Sequence, residues 1–574
     1  MVLKNIRNHN TLEDNFLKIV KISIILFASF SILGNFIPFF EGSNSYYYGI
    51  ASILLIEDGT AISNPFLEKY QTNEFVVENW LLTQQNELVP MSGQGLITLG
   101  SIFYLFGGYF GLYYLSPIFF IILLIVTERI TTNLFGKYAG LITLILLSTS
   151  NLLFRNSIQF QTESIVCLMF ILGAYYLIKF GKTNKNYFVL IASTFFVIST
   201  TIKLSGIITL PFEFLILGIL IINNLFINKK NKKKKLDKIK NKNITTITLA
   251  VIPWIIFLLF FIYGNISNFD DPLITYGELN EAQNENYDSS IFSLIEFEKT
   301  DFENVKQYSK YLLPYIFVGV FDNVENNFEN NFGENWIGII PIIILGLMMI
   351  FSFKDKNKKL EIMIILLLVF STIWFFSSIT TEERAEKGVP GRYILPAFVL
   401  SSMIFGYTIE KILYKIKNKK NMIKKIYQYT FVCIIVLFVI ISYNFTPSVT
   451  SLEHENYFKN PYDYKRDYPL KETGIYENSI VVTPNGQRAL EYNLIPFNPT
   501  NDNESIELLK TIVKENDVLI FKIPFTISEI EKLSLVEKNG FVFKEYSKIF
   551  CKIELYSNDG SISDKNCINN EPIR

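Results

Sequence analysis

The sequence predicts a polytopic α-helical membrane protein that ends in a small α/β domain. Three observations carry that expectation. Half of the 574 residues are hydrophobic and 15% are aromatic, with a mean hydropathy of +0.28. The charges, 53 Lys+Arg against 53 Asp+Glu, are clumped and leave long apolar runs at 22–40, 111–127, 207–227 and 246–263, interrupted clearly only by Glu213. Several of these runs approach the roughly 20 residues that cross a hydrocarbon core. Together these features exclude a soluble protein, a disordered chain and a nucleic-acid binder with a basic face.

The basic clusters set the expected topology. Nine lysines fall in Lys229–Lys242, four in Lys354–Lys359 and seven in Lys411–Lys425, whereas 264–334 carries fourteen acidic residues and three lysines. Lys/Arg-rich loops stay cytoplasmic. The expected spans are therefore 18–40, 111–127, 138–155, 163–180, 186–203, 206–227, 244–263, 336–353, 360–378, 393–413 and 426–444. That is about 11 transmembrane helices, each near the length a bilayer demands. Residues 1–17 are a cytoplasmic N-terminus, the first span a retained signal-anchor. Residues 18–444 form the transmembrane module, with outer loops at 41–110 and 264–335, and 445–574 form an extracytoplasmic domain. The apolar segment 95–106 is too short to cross and is expected to lie along the outer face.

In the C-terminal region, SIVVT (479–483) and VLIFKI (518–523) read as buried strands. Amphipathic stretches at 503–515 and 526–538 read as helices, and FVFKEYSKIFCKIEL as two strand-like halves. Cys551 and Cys567 could pair if this region faces an oxidising compartment. Asn265, Asn444 and Asn503 head Asn-x-Ser/Thr triplets expected on that side. His occurs only twice, so a His/Cys-built metal site is not expected.

Five ionisable residues fall at the outer ends of spans: Glu41, Arg155, Glu163, Lys203 and Arg392. Charges at span ends are commonly interfacial anchors. Lys203 is harder to explain that way, because only a residue or two separates its spans. A cation held there is costly without an anion, and the positive-inside rule disfavours three cations on this face. Three cations and two carboxylates at one depth suit an anionic-lipid headgroup with an acid/base partner.

The order of features resembles the GT-C class of integral-membrane glycosyltransferases, and within it the family 39-like branch. That branch includes protein O-mannosyltransferases and enzymes that transfer aminoarabinose to lipid A. The resemblance spans roughly 16–414 and rests on several motifs. They are an acid at the exit of the first span followed by NSYYYGIASILL, then GLITLGSIFYLFGG, then Leu134–Gly136. Arg155 and Glu163 follow, bracketing an outer turn, then a Thr-x-Lys-x-x-Gly turn within 201–211, and Arg392–Pro396. Ser43, Asn44 and Ser45 stand where the family typically has an acid, which leaves Glu41 as the nearest carboxylate, with Glu57 and Asp58 as alternates.

The resemblance implies sugar transfer from a polyprenyl-phosphate carrier to an acceptor hydroxyl on a glycan, lipid or protein. Glu41 would act as general base, and Arg155, Lys203 and Arg392 would bind the carrier phosphate. Glu163, Asn44 and Tyr48 would orient a cation or contact the sugar or acceptor. No cofactor is expected to be required; a divalent cation is conceivable but no ligand spacing supports one. The Trp-Trp-Asp-Tyr-Gly signature of oligosaccharyltransferases is absent, Trp336 standing in ENWIG. A lipid-linked-sugar transporter and an inactive scaffold remain open alternatives.

Overall fold

The computed structural model describes residues 2–34, 42–57, 62–63, 65–70, 75, 80–83, 87–90, 94–150, 153–154, 156–229, 236–269, 358–379, 395–417, 479–483, 494–500, 502–521, 527–546 and 550–555. The chain divides into two compact units. One comprises 1–41, 93–263 and 289–449; the other comprises 42–92, 264–288 and 450–574.

The first unit is a helical bundle. Its helices are α1 (Val2–Gly34), α4 (Gln94–Phe135), α5 (Lys137–Ser148), α6 (Glu163–Thr183), α7 (Tyr187–Ile202), α8 (Thr209–Lys229), α9 (Leu236–Phe269), α10 (Lys359–Ile379) and α11 (Leu395–Lys417). Among the described residues, five helices are long and apolar enough to cross a membrane by length and composition. The expected spans 336–353 and 426–444 lie outside the described residues. Leu123, Leu144, Ile171, Leu177 and Leu400 are among the side chains that fill the bundle interior. Phe106, Phe260 and Phe30 lie exposed, as befits surfaces that meet lipid.

Two elements differ from the sequence expectation. The span expected at 138–155 is a helix only to Ser148. The Ser148–Thr149–Ser150 run ends it: both Ser148 and Thr149 hydroxyls donate to the Ile145 carbonyl, at 3.1 and 2.8 Å, and such local bonds compete with helix continuation. The second is α4, whose 42 residues merge the expected outer segment 95–106 with the span after it. Gly108 breaks this helix at φ 57, ψ −146, a conformation essentially restricted to glycine. The break is sharp. A Cβ on Gly111 would sit 2.0 Å from the Phe103 carbonyl oxygen, although eight residues of straight helix would separate those positions by about 12 Å.

The first arm of α4 therefore runs at the level of the bundle's end. Gly95 abuts the backbone of Thr201 and Ile202 at the end of α7. Ser116, beyond the break, exchanges two 2.9 Å hydrogen bonds with the backbone of Gln161, just before α6. Both contacts lie at one end of the bundle, and the stretch 116–135 alone has a rise of about 30 Å.

The second unit contains α2 (Gly42–Glu57), α3 (Pro65–Tyr70), α12 (Asn503–Glu515) and α13 (Ile527–Lys538). Strands β1 (Ile62–Ser63), β2 (Trp80–Leu82) and β3 (Glu87–Pro90) form an antiparallel sheet in the order β1-β3-β2. Strands β4 (Ile480–Val482), β5 (Ile495–Phe497), β6 (Val518–Phe521), β7 (Phe541–Glu545) and β8 (Phe550–Leu555) form a second sheet, ordered β5-β4-β6-β8-β7. Here β4 pairs in parallel with β5 and β6, and β8 pairs antiparallel with β6 and β7.

Buried Leu509 and Ile512 of α12 lie on the same face of that helix. Cys551 is buried in β8 and disulfide-bonded; Cys567 lies outside the described residues. The Phe75 ring packs tilted against Phe497, centroids 4.9 Å apart, and Glu515 meets both Lys69 and the Tyr70 hydroxyl at 2.8 Å, so first-loop residues pack with the C-terminal sheet. Asn265 was expected to be an accessible Asn-x-Ser site, but it is buried within α9, because the helix runs six residues past the expected span. Asn503 opens α12 exposed, and Asn444 lies outside the described residues.

Candidate functional site

Glu163 and Lys203 meet at one end of the bundle. Lys203 Nζ lies 2.8 Å from Glu163 Oε1, with side chains 13% and 2% exposed. Glu163 occupies the first turn of α6, where the helix dipole favours an anion. Lys203 caps the C-terminus of α7, where it favours a cation. The local sequence forces this placement. Lys203 is extended (φ −147, ψ 118) between α7 and a 3₁₀ turn over Leu204–Ile208. The Gly206 N–H then returns to the Lys203 carbonyl at 2.8 Å. Gly206 fits only as glycine, since a Cβ would lie 2.7 Å from the Thr200 nitrogen. Gly95 presses the other side of the same elbow, with a Cβ position 2.6 Å from Thr201 Oγ1.

A layer of buried polar groups supports the pair. Ser116, Ser157, Gln159, Gln161, Thr162 and Ser164 are all buried around the turn that leads into α6. Ser157 and Ser164 share a 2.5 Å hydroxyl contact, and Ser157 also donates to the Leu153 carbonyl. Sequence reasoning missed these residues. The available signals were Ser116–Pro117 inside a span and Gln159-Phe160-Gln161 at its edge. Polar residues at apolar depth are costly unless hydrogen-bonded.

The structure brings together two of the sequence-derived site residues, Glu163 and Lys203. Tyr48 is buried in α2, its ring 4.9 Å from that of Tyr47. Asn44 lies in the first turn of α2, and Glu57 is its last residue. Glu41, Asp58, Arg155 and Arg392 lie outside the described residues. Among the described residues, no group of three His, Cys, Asp or Glu side chains is placed to hold a metal ion.

The opposite end of the bundle carries a second set of charges. Glu361 is 2% exposed and pairs with Lys182 at 2.7 Å and Lys358 at 3.6 Å. Lys21 pairs with Glu128 and donates to Thr132 at 2.9 Å. Glu410 accepts from the Ala139 N–H at 2.6 Å, so it satisfies the start of α5. These groups pair among themselves and hold helices together.

No protein-family model and no curated protein sequence matches the chain. Solved structures do. The oligosaccharyltransferase AglB from Archaeoglobus fulgidus, in complex with an inhibitory peptide and a dolichol-phosphate, superposes with a TM-score of 0.51 at 12% identity, covering 93% of this chain and 74% of that one. The same archaeal oligosaccharyltransferase in complex with zinc and sulfate gives 0.51 at 13%, covering 92% and 72%. ArnT from Cupriavidus metallidurans in the apo state gives 0.51 at 10%, covering 94% and 98%. The chain has the fold of these integral-membrane enzymes, the GT-C fold.

Proposed function

We propose that the protein is a membrane glycosyltransferase that moves a sugar from a polyprenyl-phosphate carrier to an acceptor hydroxyl on the extracytoplasmic face. The observation that carries this reading is the Glu163–Lys203 pair. It places a cation at a helix end within a GT-C bundle, where a carrier phosphate would meet the protein surface. The dolichol-phosphate in the archaeal structure supports a lipid-phosphate ligand for this fold.

In the proposed reaction the acceptor oxygen attacks the anomeric carbon while the bond from that carbon to the phosphate oxygen breaks. The electron pair leaves on the phosphate, and the hydroxyl proton passes to a carboxylate. That single displacement inverts the anomeric centre. Lys203, Arg155 and Arg392 stabilise the departing phosphate, Arg by forked contacts and Lys as a point charge. Glu41 is the base; it directly precedes α2 in the chain. Glu57 and Asp58 are the alternates. Glu163 orients Lys203, while Asn44 and Tyr48 contact sugar or acceptor. The acceptor is a hydroxyl rather than a sequon amide, because the Trp-Trp-Asp-Tyr-Gly signature is absent.

This scheme assigns charge neutralisation to basic side chains, with no metal. Chelation therefore leaves turnover intact; loss that zinc, magnesium or manganese restores would reassign it to an ion. The deciding experiment offers the purified protein in nanodiscs a panel of polyprenyl-phosphate sugars and measures released polyprenyl phosphate. Glu41→Gln keeps shape while removing basicity, so release falls roughly 10²–10⁴-fold. Near-normal release by that variant would move the base to Glu57 or Asp58. If an acceptor-complete panel gave no release from any donor, the transferase reading would fail.

A further inference from the structure

Glu213 is the ionisable residue that breaks the apolar run of α8, and the proposed chemistry does not use it. Its side chain is fully buried. Three helices converge on it. Trp254 Nε1 of α9 donates to Oε2 at 3.0 Å, and Ser193 of α7 contacts Oε1. The Ser193 hydroxyl also lies 3.0 Å from the Val189 carbonyl oxygen of its own helix. Ser193 is ten residues before Lys203 and Glu213 ten after it. Ser193 is nine residues before the end of α7, so at 1.5 Å per residue this junction lies on the order of 14 Å below the Lys203 elbow, close to the middle of a hydrocarbon core about 30 Å thick.

No described Lys or Arg pairs with this carboxyl. The other titratable groups on the packed described helices stand near their ends: Tyr187 on α7, Lys203 after it, Lys229 on α8, Asp237, Lys238, Lys240, Lys242 and Tyr263 on α9, and Lys359 and Glu361 on α10. An unpaired carboxylate at that depth is far more costly than a neutral acid. The hydrogen-bond pattern has a consistent neutral solution. Ser193 has a single hydroxyl proton. If it donates to Val189, the proton between Ser193 and Glu213 must belong to the carboxyl, while the indole N–H fills the second carboxyl oxygen.

We propose that Glu213 is a positioning residue, a neutral carboxylic acid that ties α7, α8 and α9 together at the bilayer midplane and thereby fixes the elbow that presents Lys203. The consequence for donor binding rests on the proposed function; the tie itself does not. Geometry supplies the link, because the two strands of the elbow, α7 and α8, are both gripped by this one carboxyl. Without it, α7 and α8 lose the polar contact that joins them below the short 3₁₀ turn.

The test uses the full-length protein in nanodiscs and the variants Glu213→Gln, Glu213→Leu and Trp254→Phe. Infrared difference spectra of wild type minus Glu213→Gln should show the carbonyl stretch of a protonated acid at neutral pH; a carboxylate pair of bands instead would overturn the neutral assignment. Glu213→Leu leaves the Trp254 N–H and Ser193 hydroxyl without their partner. It should raise the KM for the polyprenyl-phosphate sugar roughly tenfold with a smaller change in kcat, and Glu213→Gln should restore most of that loss. A Glu213→Gln variant as defective as Glu213→Leu would assign Glu213 a proton-transfer role and overturn the positioning role. Unchanged KM in Glu213→Leu would overturn it as well.

If Glu213→Leu fails to fold, Trp254→Phe removes one bond with little loss of volume. It should shift the acid carbonyl band and raise the same KM severalfold, and an unmoved band and KM would sink the tie. A wild-type protein that turns over no donor would remove the transferase reading and leave the infrared result standing.

Discussion

Lys203 and Glu163 each answer a cost that the other creates. A cation and a carboxylate at 13% and 2% exposure are costly to bury singly, and removing one partner of such a pair costs about 3–5 kcal/mol. Lys203→Ala should therefore lower the unfolding temperature in detergent and also cut turnover by orders of magnitude. Those two losses are separable. Glu163→Gln combined with Lys203→Met removes both charges, so stability should return while turnover stays low. A double variant that regained turnover would reduce Lys203 to a structural ion-pair partner.

A different residue-level dependence belongs to Asp502. It caps α12, accepting from the Ser505 N–H at 2.7 Å. The Thr500 hydroxyl, followed by that N–H, holds its carboxyl below its ordinary value of 3.8. A depressed native value means that the stabilisation is complete at neutral pH and is lost as pH falls below 3.8 through the native value. Amide protection at the start of α12, taken relative to the intrinsic exchange rate at each pH, should fall in acid for wild type. In Asp502→Ala that protection should already be low at neutral pH, with Asp502→Ser between them.

The elements show where the chain departs from a simple reading of apolar runs. A Cβ added at Gly107 or at Gly108 would meet open space, with nothing within 4 Å. The two glycines differ in backbone, because only Gly108 has a positive φ, +57. Gly108→Ala should destabilise by about 1–3 kcal/mol through strain alone, whereas Gly107→Ala should be neutral or slightly stabilising. Thermal unfolding of the two variants side by side checks this, and equal behaviour would mean that the break in α4 is not fixed by Gly108. The expectation that 95–106 is set apart from the span after it agrees with the break at Gly108.

Its fusion to the next span was not legible, because a single Gly-Gly step carries no periodic signal. The strands at 480–482 and 518–521 and helices α12 and α13 were legible from apolar runs and amphipathic spacing. Strand β5 was missed: it is three residues long and contains Pro496, which is tolerated because β5 is an edge strand. The first-loop sheet was missed for a related reason, since strands of two to four residues are too short for alternation to emerge. At the site, the charges were visible as exceptions in apolar sequence. The Ser116–Gln161 exchange was invisible, because a hydroxyl in a span reads as an ordinary small residue.

At the scale of the whole molecule, the buried charges form two layers that fix the thickness of the bundle. Helix α6 begins at Glu163, which pairs with Lys203, and ends one residue after Lys182, which pairs with Glu361. Its 21 residues give a rise of about 30 Å, the thickness of a hydrocarbon core. The basic clusters then orient the bundle. Lys229 ends α8, Lys359 opens α10, and Lys411 and Lys417 lie in the last turns of α11. All belong to the Lys182 end, which the positive-inside rule predicts to be cytoplasmic. That prediction puts the Glu163–Lys203 end on the extracytoplasmic side, where the proposed lipid-linked donor would be met.

The disulfide at Cys551 supports an oxidising surrounding for the C-terminal sheet. Single cysteines test this orientation in intact cells. Lys234→Cys, in the basic loop, should resist an impermeant maleimide added from outside and react after permeabilisation. Lys510→Cys, on the partly exposed face of α12, should react from outside at once. The reverse pattern would invert the molecule and place the candidate phosphate site on the cytoplasmic face. Labelling of both positions from outside would instead require an odd number of additional crossings between them.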